Sequence, residues 1–241
     1  MQPRRLKTIA LASGCIFLFF WFHPVVSKKS ITVCALAGTI SLLTVWPLPR
    51  SKTVISIAYG AGLILFSSLF WLPGKTIEPD TLHDLYIESL MRYKGVRYVW
   101  GGEGKLGIDC SGLPRRALRD ALIKTGFSDF NGAAFRLAVF HLWNDASASA
   151  IARGFMDYAI PLEVGGILKD IDTTKLTSGD LAITADGIHV LVFLGQHLWI
   201  EADPDIGSVT ILHTGIDTSP WFSERVSLYR WKLLSKETES Q

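Results

Sequence analysis

Hydrophobic positions form three long and almost uninterrupted runs in the first third of the chain. Each run is 18 to 20 residues long and contains no acidic residue: 8–26, 31–48 and 53–72. A helix of that length roughly matches a hydrocarbon core of about 30 Å. Short polar turns at 27–30 and 49–52 separate the runs, which favours antiparallel helices. We therefore expect residues 1–74 to form a membrane anchor of three transmembrane helices.

Basic residues beside these runs predict an orientation. With the N-terminus in the cytoplasm, five Lys or Arg side chains lie inside and three lie outside, in accord with the positive-inside rule. This orientation places residues 75–241 outside the cytoplasm. A cleaved signal peptide is an alternative for the first run, because Arg4, Arg5 and Lys7 precede it, although no small-residue cleavage site follows.

Beyond residue 74 the pattern changes from long apolar runs to shorter amphipathic segments. Apolar residues at helical spacing predict a helix over 80–93. A second helix is expected over 111–124, after a glycine-rich loop. The segment 133–159 is predicted to be mostly helical, with a possible break at 145–150. Helices thus dominate the first half of this region.

From Ser178 onward the spacing becomes that of strands. Five short segments rich in β-branched and aromatic residues are bounded by Gly, Asp and Pro: 181–184, 188–194, 198–202, 208–213 and 226–231. Helices followed by an antiparallel β meander indicate an α+β domain. We therefore predict two parts, an anchor over 1–74 and an α+β domain over 75–241.

Composition and charge support this division. The chain has 241 residues, is 49% hydrophobic and carries a formal charge of +2, with a mean hydropathy of +0.29. Residues 1–74 hold seven basic and no acidic residues, whereas 75–241 hold 17 basic and 22 acidic ones. These values exclude a single soluble globule, a disordered chain and a basic nucleic-acid binder. The three cysteines exclude a disulfide-stapled scaffold.

Cys110 is the one cysteine outside the apolar runs. It follows a glycine-rich loop and precedes a predicted helix, so the helix dipole would lower its pKa and favour the nucleophilic thiolate. A small buried side chain without chemistry is the alternative interpretation. The position of Cys110 makes it the candidate nucleophile.

A nucleophilic thiol requires a base, and His189 is the best placed of the six histidines. It begins a predicted strand beside the turn formed by Asp186 and Gly187. Glu201 lies twelve residues later on the next strand, where a hairpin could bring its carboxylate to the imidazole. A carboxylate there would orient the ring and stabilise the imidazolium, as in a nucleophile–base–orienter triad. A solvated surface acid is the alternative for Glu201.

Four motifs together resemble the NlpC family of papain-like cysteine peptidases of bacterial cell walls. The motifs are Tyr98-Val99-Trp100-Gly101-Gly102, Asp109-Cys110-Ser111-Gly112, Ser178-Gly179-Asp180-Leu181, and His189-Val190 with Gly195. The similarity covers about half of the chain. It implies a papain-like fold, with helices packed on an antiparallel β meander.

The resemblance also implies roles for individual residues. Cys110 would be the nucleophile, His189 the general base and Glu201 the third polar residue. Tyr98 would orient substrate or stabilise the oxyanion, and the neighbours of Cys110 would line the pocket for the free amino end of the substrate: Asp109 and Ser111. No metal or cofactor is implied.

Three features depart from the family pattern. Glu201 stands where the family usually has a neutral residue, and Pro114 falls in the first turn of the predicted helix. The spacing from Cys110 to His189 is longer than in the family, and the excess is assigned to 126–166. This segment is interpreted either as an added helical subdomain or as a lid that could also contact a protein partner.

The expected function is hydrolysis of peptidoglycan stem peptides, at the γ-D-glutamyl–diamino acid bond by family analogy. The expected location is the bacterial inner membrane, with a multi-pass anchor in the bilayer, a cytoplasmic N-terminus and a periplasmic catalytic domain. Two alternatives are a thiol amidase or acyltransferase acting on a non-wall substrate, and an inactive wall-binding or assembly module.

Overall fold

The computed structural model describes residues 3–23, 25, 27–45, 68–69 and 71–236. It begins with two helices, α1 (Pro3–Phe22) and α2 (Lys28–Val45). They pack as an antiparallel pair, because the Ser41 hydroxyl donates to the Ala10 carbonyl at 3.4 Å and Cys34 lies beside Phe17.

None of the helices within the described ranges has the length and apolar character needed to cross a lipid bilayer. In α1 the predicted run begins at residue 8 and the helix ends at Phe22, which leaves 15 helical residues. In α2 the run begins at residue 31 and the described helix extends to Val45, again 15 residues. At 1.5 Å per residue, 15 residues span about 22 Å, less than the ~30 Å of a hydrocarbon core.

The prediction of three transmembrane helices is therefore wrong, and so is the multi-pass inner-membrane location built on it. The sequence pattern counts apolar residues without showing which of them a helix will include. The third predicted run, 53–72, lies outside the described residues except for 68–69 and 71–72.

Within residues 71–236, four further α-helices precede or accompany the sheet. They are α3 (Pro79–Met91), α4 (Gly112–Ser128), α5 (Gly132–Trp143) and α6 (Ala148–Ala152). The first two agree with the predicted helices to within a few residues. Asn131 caps α5, since its side chain accepts a hydrogen bond from Ala133 N.

The sheet has six antiparallel strands in the order β3-β8-β4-β5-β6-β7. Their bounds are β3 (Ala159–Ile167), β4 (Leu181–Thr184), β5 (Val190–Gly195), β6 (Leu198–Asp203), β7 (Ser208–His213) and β8 (Arg225–Trp231). A separate hairpin joins β1 (Glu103–Gly104) to β2 (Gly107–Ile108). The five strands predicted from residue 178 onward and the α+β class are confirmed.

Strand β3 was not predicted, because its sequence contains Pro161, Gly165 and Gly166. These residues disfavour a central strand, but β3 is an edge strand that pairs only with β8, and its register shifts between Pro161 and Gly165. An edge strand tolerates proline and irregular pairing. The segment 126–166 therefore holds two helices and most of a sheet strand, instead of a wholly helical insertion.

Both faces of the sheet are covered. On one face, Val190 and Val192 of β5 pack against α3 and α4. On the other face, Leu191 and Phe193 pack in a second core that includes Phe222. Because alternate residues of a strand point to opposite faces, this arrangement decides which side chains near the start of β5 can meet.

Candidate active site

The first turn of α4 is organised by the carboxylate of Asp109. This buried side chain accepts hydrogen bonds from Gly101 N at 2.8 Å, Gly112 N at 2.5 Å and the Ser111 hydroxyl at 3.2 Å. A Cβ atom at Gly112 would overlap the Gly102 carbonyl and the Asp109 carboxylate, which explains the glycine after Ser111. The acid thus fixes the glycine loop to the start of the helix.

Pro114 does not kink this helix. Since α4 begins at Gly112, Pro114 is its third residue. The N–H groups of the first helical turn have no intrahelical acceptor, so the missing N–H of proline removes no bond. Cys110 itself lies two residues before the helix begins.

A buried charge cluster, formed by Glu103, Arg115 and Arg119, stabilises the loop before α4. The Arg115 and Arg119 guanidinium groups each approach a different oxygen of Glu103 at 2.5 Å. Arg115 also donates to the Ser111 carbonyl at 3.0 Å and forms an ion pair with the more exposed Asp145. The cluster therefore connects the glycine loop, the helix behind Cys110 and the chain after α5.

The Cys110 thiol lies against the backbone on both sides of His189. Its Sγ donates to the Ile188 carbonyl at 3.5 Å, and the N–H of Val190 donates to Sγ. Cys110 is only 5% exposed. Ile188 and Val190 follow Cys110 by 78 and 80 residues in the sequence. Their contacts place the cysteine next to the backbone of His189, the candidate base.

His189 and Glu201 form a fully buried pair. The His189 Nε2 atom and the Glu201 Oε2 atom are 2.5 Å apart, and their side chains are 2% and 0% exposed. Continuing the register that pairs Val192 with Ile200 puts Glu201 diagonal to His189 on the same face of the sheet. Glu201 therefore binds the Nε2 side of the ring, and Nδ1 is the other ring nitrogen.

Glu201 is thus not a solvated surface acid. Burial raises the pKa of Glu201, and the hydrogen bond and charge of His189 oppose that rise. Its Oε1 atom is buried with no hydrogen-bond partner among the described residues. A buried carboxylate of this kind is stabilised mainly by a positive partner, which suits a histidine that becomes imidazolium.

The pKa of the cysteine differs from the sequence expectation. Burial raises the pKa of the Cys110 thiol to about 12, and the negative charge of Asp109 adds to the rise. Backbone N–H groups of Val190, Ser111 and Cys110 lower it, but they do not outweigh burial. The helix start alone therefore does not make a thiolate, and ionisation requires transfer of the proton to a neighbouring base.

Tyr98 lies on the loop before β1, where the charge of Cys110 acts on it. Its backbone N–H donates to the Gly207 carbonyl at 2.7 Å, and Tyr98 also forms a bridge with Ile108. Burial raises the pKa of Tyr98 to about 12, and the charges of Cys110, Asp109 and Asp203 add to the rise. The phenol therefore remains a hydrogen-bond donor at neutral pH.

Sequence reasoning missed two features of the site. Trp221 stacks on the His189 ring with centroids 3.9 Å apart and an interplanar angle of 10°. The Glu103–Arg115–Arg119 cluster was also missed. Glu103, one residue after the glycine pair, looked like a loop acid, and residue 221 lies in a segment without periodic spacing.

The Ser178-Gly179-Asp180-Leu181 motif stabilises the fold. Asp180 is buried and receives two hydrogen bonds from Arg230, at 2.7 and 2.8 Å. His83 is hydrogen-bonded to the Ser178 carbonyl at 2.7 Å. These contacts join the start of β4 to β8 and α3.

Comparisons with known proteins agree with the resemblance seen in the motifs. A curated relative, dipeptidyl-peptidase 6 of Lysinibacillus sphaericus, is 28% identical over 136 residues. The match covers 55% of this chain and 38% of the relative, so the chain spans well under half the length of that protein.

Similar solved structures include the peptidoglycan hydrolase RipB of Mycobacterium tuberculosis, at 18% identity and a TM-score of 0.39, covering 63% of this chain and 65% of that one. NlpC1 of Trichomonas vaginalis is 16% identical, with a TM-score of 0.42, covering 65% and 46%. The model of the NlpC/P60 family matches residues 95–226, more than half of the chain. This chain belongs to the NlpC/P60 family.

Proposed function

We propose that the chain is a cysteine peptidase of bacterial cell-wall peptides, with Cys110 as nucleophile, His189 as general base and Glu201 as the residue that orients the base. One observation carries the proposal: the Cys110 thiol lies between the Ile188 carbonyl and the Val190 N–H, on either side of His189. The buried bond from His189 Nε2 to Glu201 supports the same roles.

The reaction would begin with transfer of the thiol proton from Sγ to Nδ1 of His189. The thiolate would attack the amide carbonyl, and the negative oxygen would be stabilised by the Tyr98 phenol and backbone N–H groups at the start of α4. His189 would then give its proton to the leaving amine. Water would hydrolyse the thioester and restore the thiol.

The substrate class follows from the family and from the named relatives. A relative is called a dipeptidyl-peptidase and a structural neighbour is called a peptidoglycan hydrolase. We propose the γ-D-glutamyl–diamino acid bond as the bond cleaved. Asp109 and Ser111 would lie close to the free amino end of such a peptide.

The test is digestion of purified wall peptides by the full chain, compared with Cys110→Ser and with Glu201→Gln. The proposal expects loss of cleavage in Cys110→Ser and a smaller loss of kcat in Glu201→Gln, because a neutral amide can still orient the His189 ring but cannot stabilise the imidazolium by charge. Mass spectrometry of the fragments identifies the bond. Equal fragment yields from the wild type and Cys110→Ser would overturn the proposal.

A second candidate is a binding module without turnover. It is favoured by Cys110 being 5% exposed and by its thiol being bonded to the Ile188 carbonyl instead of to the imidazole. The same digestion decides between the two, because binding of wall peptides without any cleavage would select the module.

A further inference from the structure

The contact between Trp221 and His189 is the strongest feature that the proposed reaction does not use. The two rings lie nearly parallel, at 10°, with centroids 3.9 Å apart. The indole therefore covers one face of the imidazole, while the edge of the same ring is bonded to Glu201.

The fold holds Trp221 in place from both sides. It lies in a short 3₁₀ helix, Pro220–Ser223, where the backbone N–H of Trp221 donates to the Ser219 hydroxyl at 3.3 Å. The next residue, Phe222, is 4% exposed and is packed in the core behind β4, β5 and β8. This anchoring fixes the position of the indole against the imidazole.

The indole makes this contact through its ring and not through its N–H. Its Nε1 atom is buried with no hydrogen-bond partner among the described residues. A buried indole N–H normally has a hydrogen-bond partner. Here the ring is stacked on His189, while the N–H has no partner among the described residues. A phenylalanine at 221 would therefore lose no hydrogen bond, only part of the π surface.

An indole face attracts a cation, and more strongly when water is excluded. When the proton moves from Sγ of Cys110 to Nδ1 of His189, a neutral pair becomes a thiolate and an imidazolium. The cation then lies directly against the indole. The contact is worth more after the proton transfer than before it.

We propose that Trp221 is a positioning residue for the base, which holds the His189 ring with Nδ1 toward Cys110 and stabilises the imidazolium formed by proton transfer. The catalytic meaning of this inference rests on the proposed function. The stacking and its effect on thiol ionisation do not, so they can be tested without a substrate.

Other charged groups around His189 are the same in every variant of the test. Those that face His189 or its partners from the packed elements are Cys110 before α4, Asp186 in the β4–β5 turn, Glu201 and Asp203 on β6, and Asp109 and Tyr98, which interact electrostatically with Cys110. A change confined to Trp221 variants is therefore due to the indole.

The experiment measures the alkylation rate of Cys110 by iodoacetamide from pH 5 to pH 9. All variants carry Cys15→Ser and Cys34→Ser, so that Cys110 is the one thiol of the chain. Trp221→Ala and Trp221→Phe are compared with Trp143→Ala. Trp143 is half exposed and lies on α5, so it serves as the matched control.

Trp221→Ala is expected to lower the alkylation rate near pH 7 about tenfold, within the range of a cation–π contact. Trp221→Phe should lower it less, and Trp143→Ala should leave the profile unchanged. With wall peptide, Trp221→Ala should lower kcat and leave KM unchanged.

An unchanged alkylation profile in Trp221→Ala, or in Trp221→Phe should the alanine variant not fold, would overturn the inference. A rise in KM with kcat unchanged would also overturn it, because Trp221 would then be a substrate contact. If no variant cleaves wall peptide but the alkylation profiles differ as expected, the proposed function fails and the role of Trp221 stands.

Discussion

The two sides of the candidate site are built in different ways. The nucleophile side, residues 97–119, is held by buried charges: Asp109 binds the glycine loop, and Glu103 binds Arg115 and Arg119. The base side, strands β5 and β6 with the 3₁₀ helix Pro220–Ser223, is held by backbone pairing and apolar packing.

This difference follows from what each side must position. A cysteine on a loop has no ladder to fix it, so side chains must supply the hydrogen bonds of the loop backbone. A histidine at the start of a central strand is fixed by the sheet. We therefore expect the nucleophile side to be sensitive to loss of charge and to pH, and the base side to be sensitive mainly to loss of ring contacts.

The largest effect is expected from Glu103→Gln. This change removes the negative charge shared by Arg115 and Arg119, which are both buried, and loss of one partner of a buried ion pair costs about 3–5 kcal/mol. The free energy of unfolding, measured by urea denaturation, should fall by that amount.

Asp145→Asn is the matched control, since it removes a partner of the same Arg115 at a site that is 39% exposed. Its cost should be below about 1 kcal/mol, as for exposed ion pairs. If both variants lost the same free energy of unfolding, burial of the Glu103 cluster would not make the nucleophile side more sensitive to loss of charge than an exposed ion pair.

A smaller effect, dependent on pH, is expected from His141 on α5. Burial lowers the pKa of His141 to about 4, and the charges of Arg119 and Arg115 add to the lowering. The unfolded chain therefore binds this proton first, so stability present above pH 6.5 is lost as the pH falls toward 4, by about 3 kcal/mol in total.

His141→Phe should remove this loss. His141 packs against Tyr158 with ring centroids 4.3 Å apart, and phenylalanine keeps that contact without titrating. The free energy of unfolding of the variant should be nearly independent of pH in this interval, apart from the contribution of carboxylates that both proteins share. A parallel fall in both proteins would assign the acid sensitivity to other groups.

The sequence was sufficient for five strands of the six-stranded sheet and for selecting three candidate catalytic residues. Alternation and β-branched residues located β4 and β7 with the bounds that the structure shows. Cys110, His189 and Glu201 were selected because their residue types and positions suit one chemistry. The structure bonds His189 to Glu201 and puts the Cys110 thiol against the backbone of Ile188 and Val190, while their catalytic roles stay a prediction. Both kinds of signal are local, and both depend on side chains within one or two elements.

What could not be predicted depends on distant parts of the chain. Trp221 meets His189 only because the segment after β7 folds back over the sheet. Strand β3 is determined by its partner β8 and not by its own sequence, which contains Pro161 and two glycines. The predicted membrane spans failed for a related reason, since an apolar run does not by itself show which of its residues a helix will include.

The central claim is that the Cys110 thiol ionises by giving its proton to His189, because burial otherwise keeps it protonated. Alkylation of Cys110 as a function of pH in the wild type and in His189→Asn, both with Cys15→Ser and Cys34→Ser, tests this claim most directly. The account predicts alkylation near pH 7 in the wild type and only at strongly alkaline pH in His189→Asn. Identical pH profiles would contradict it.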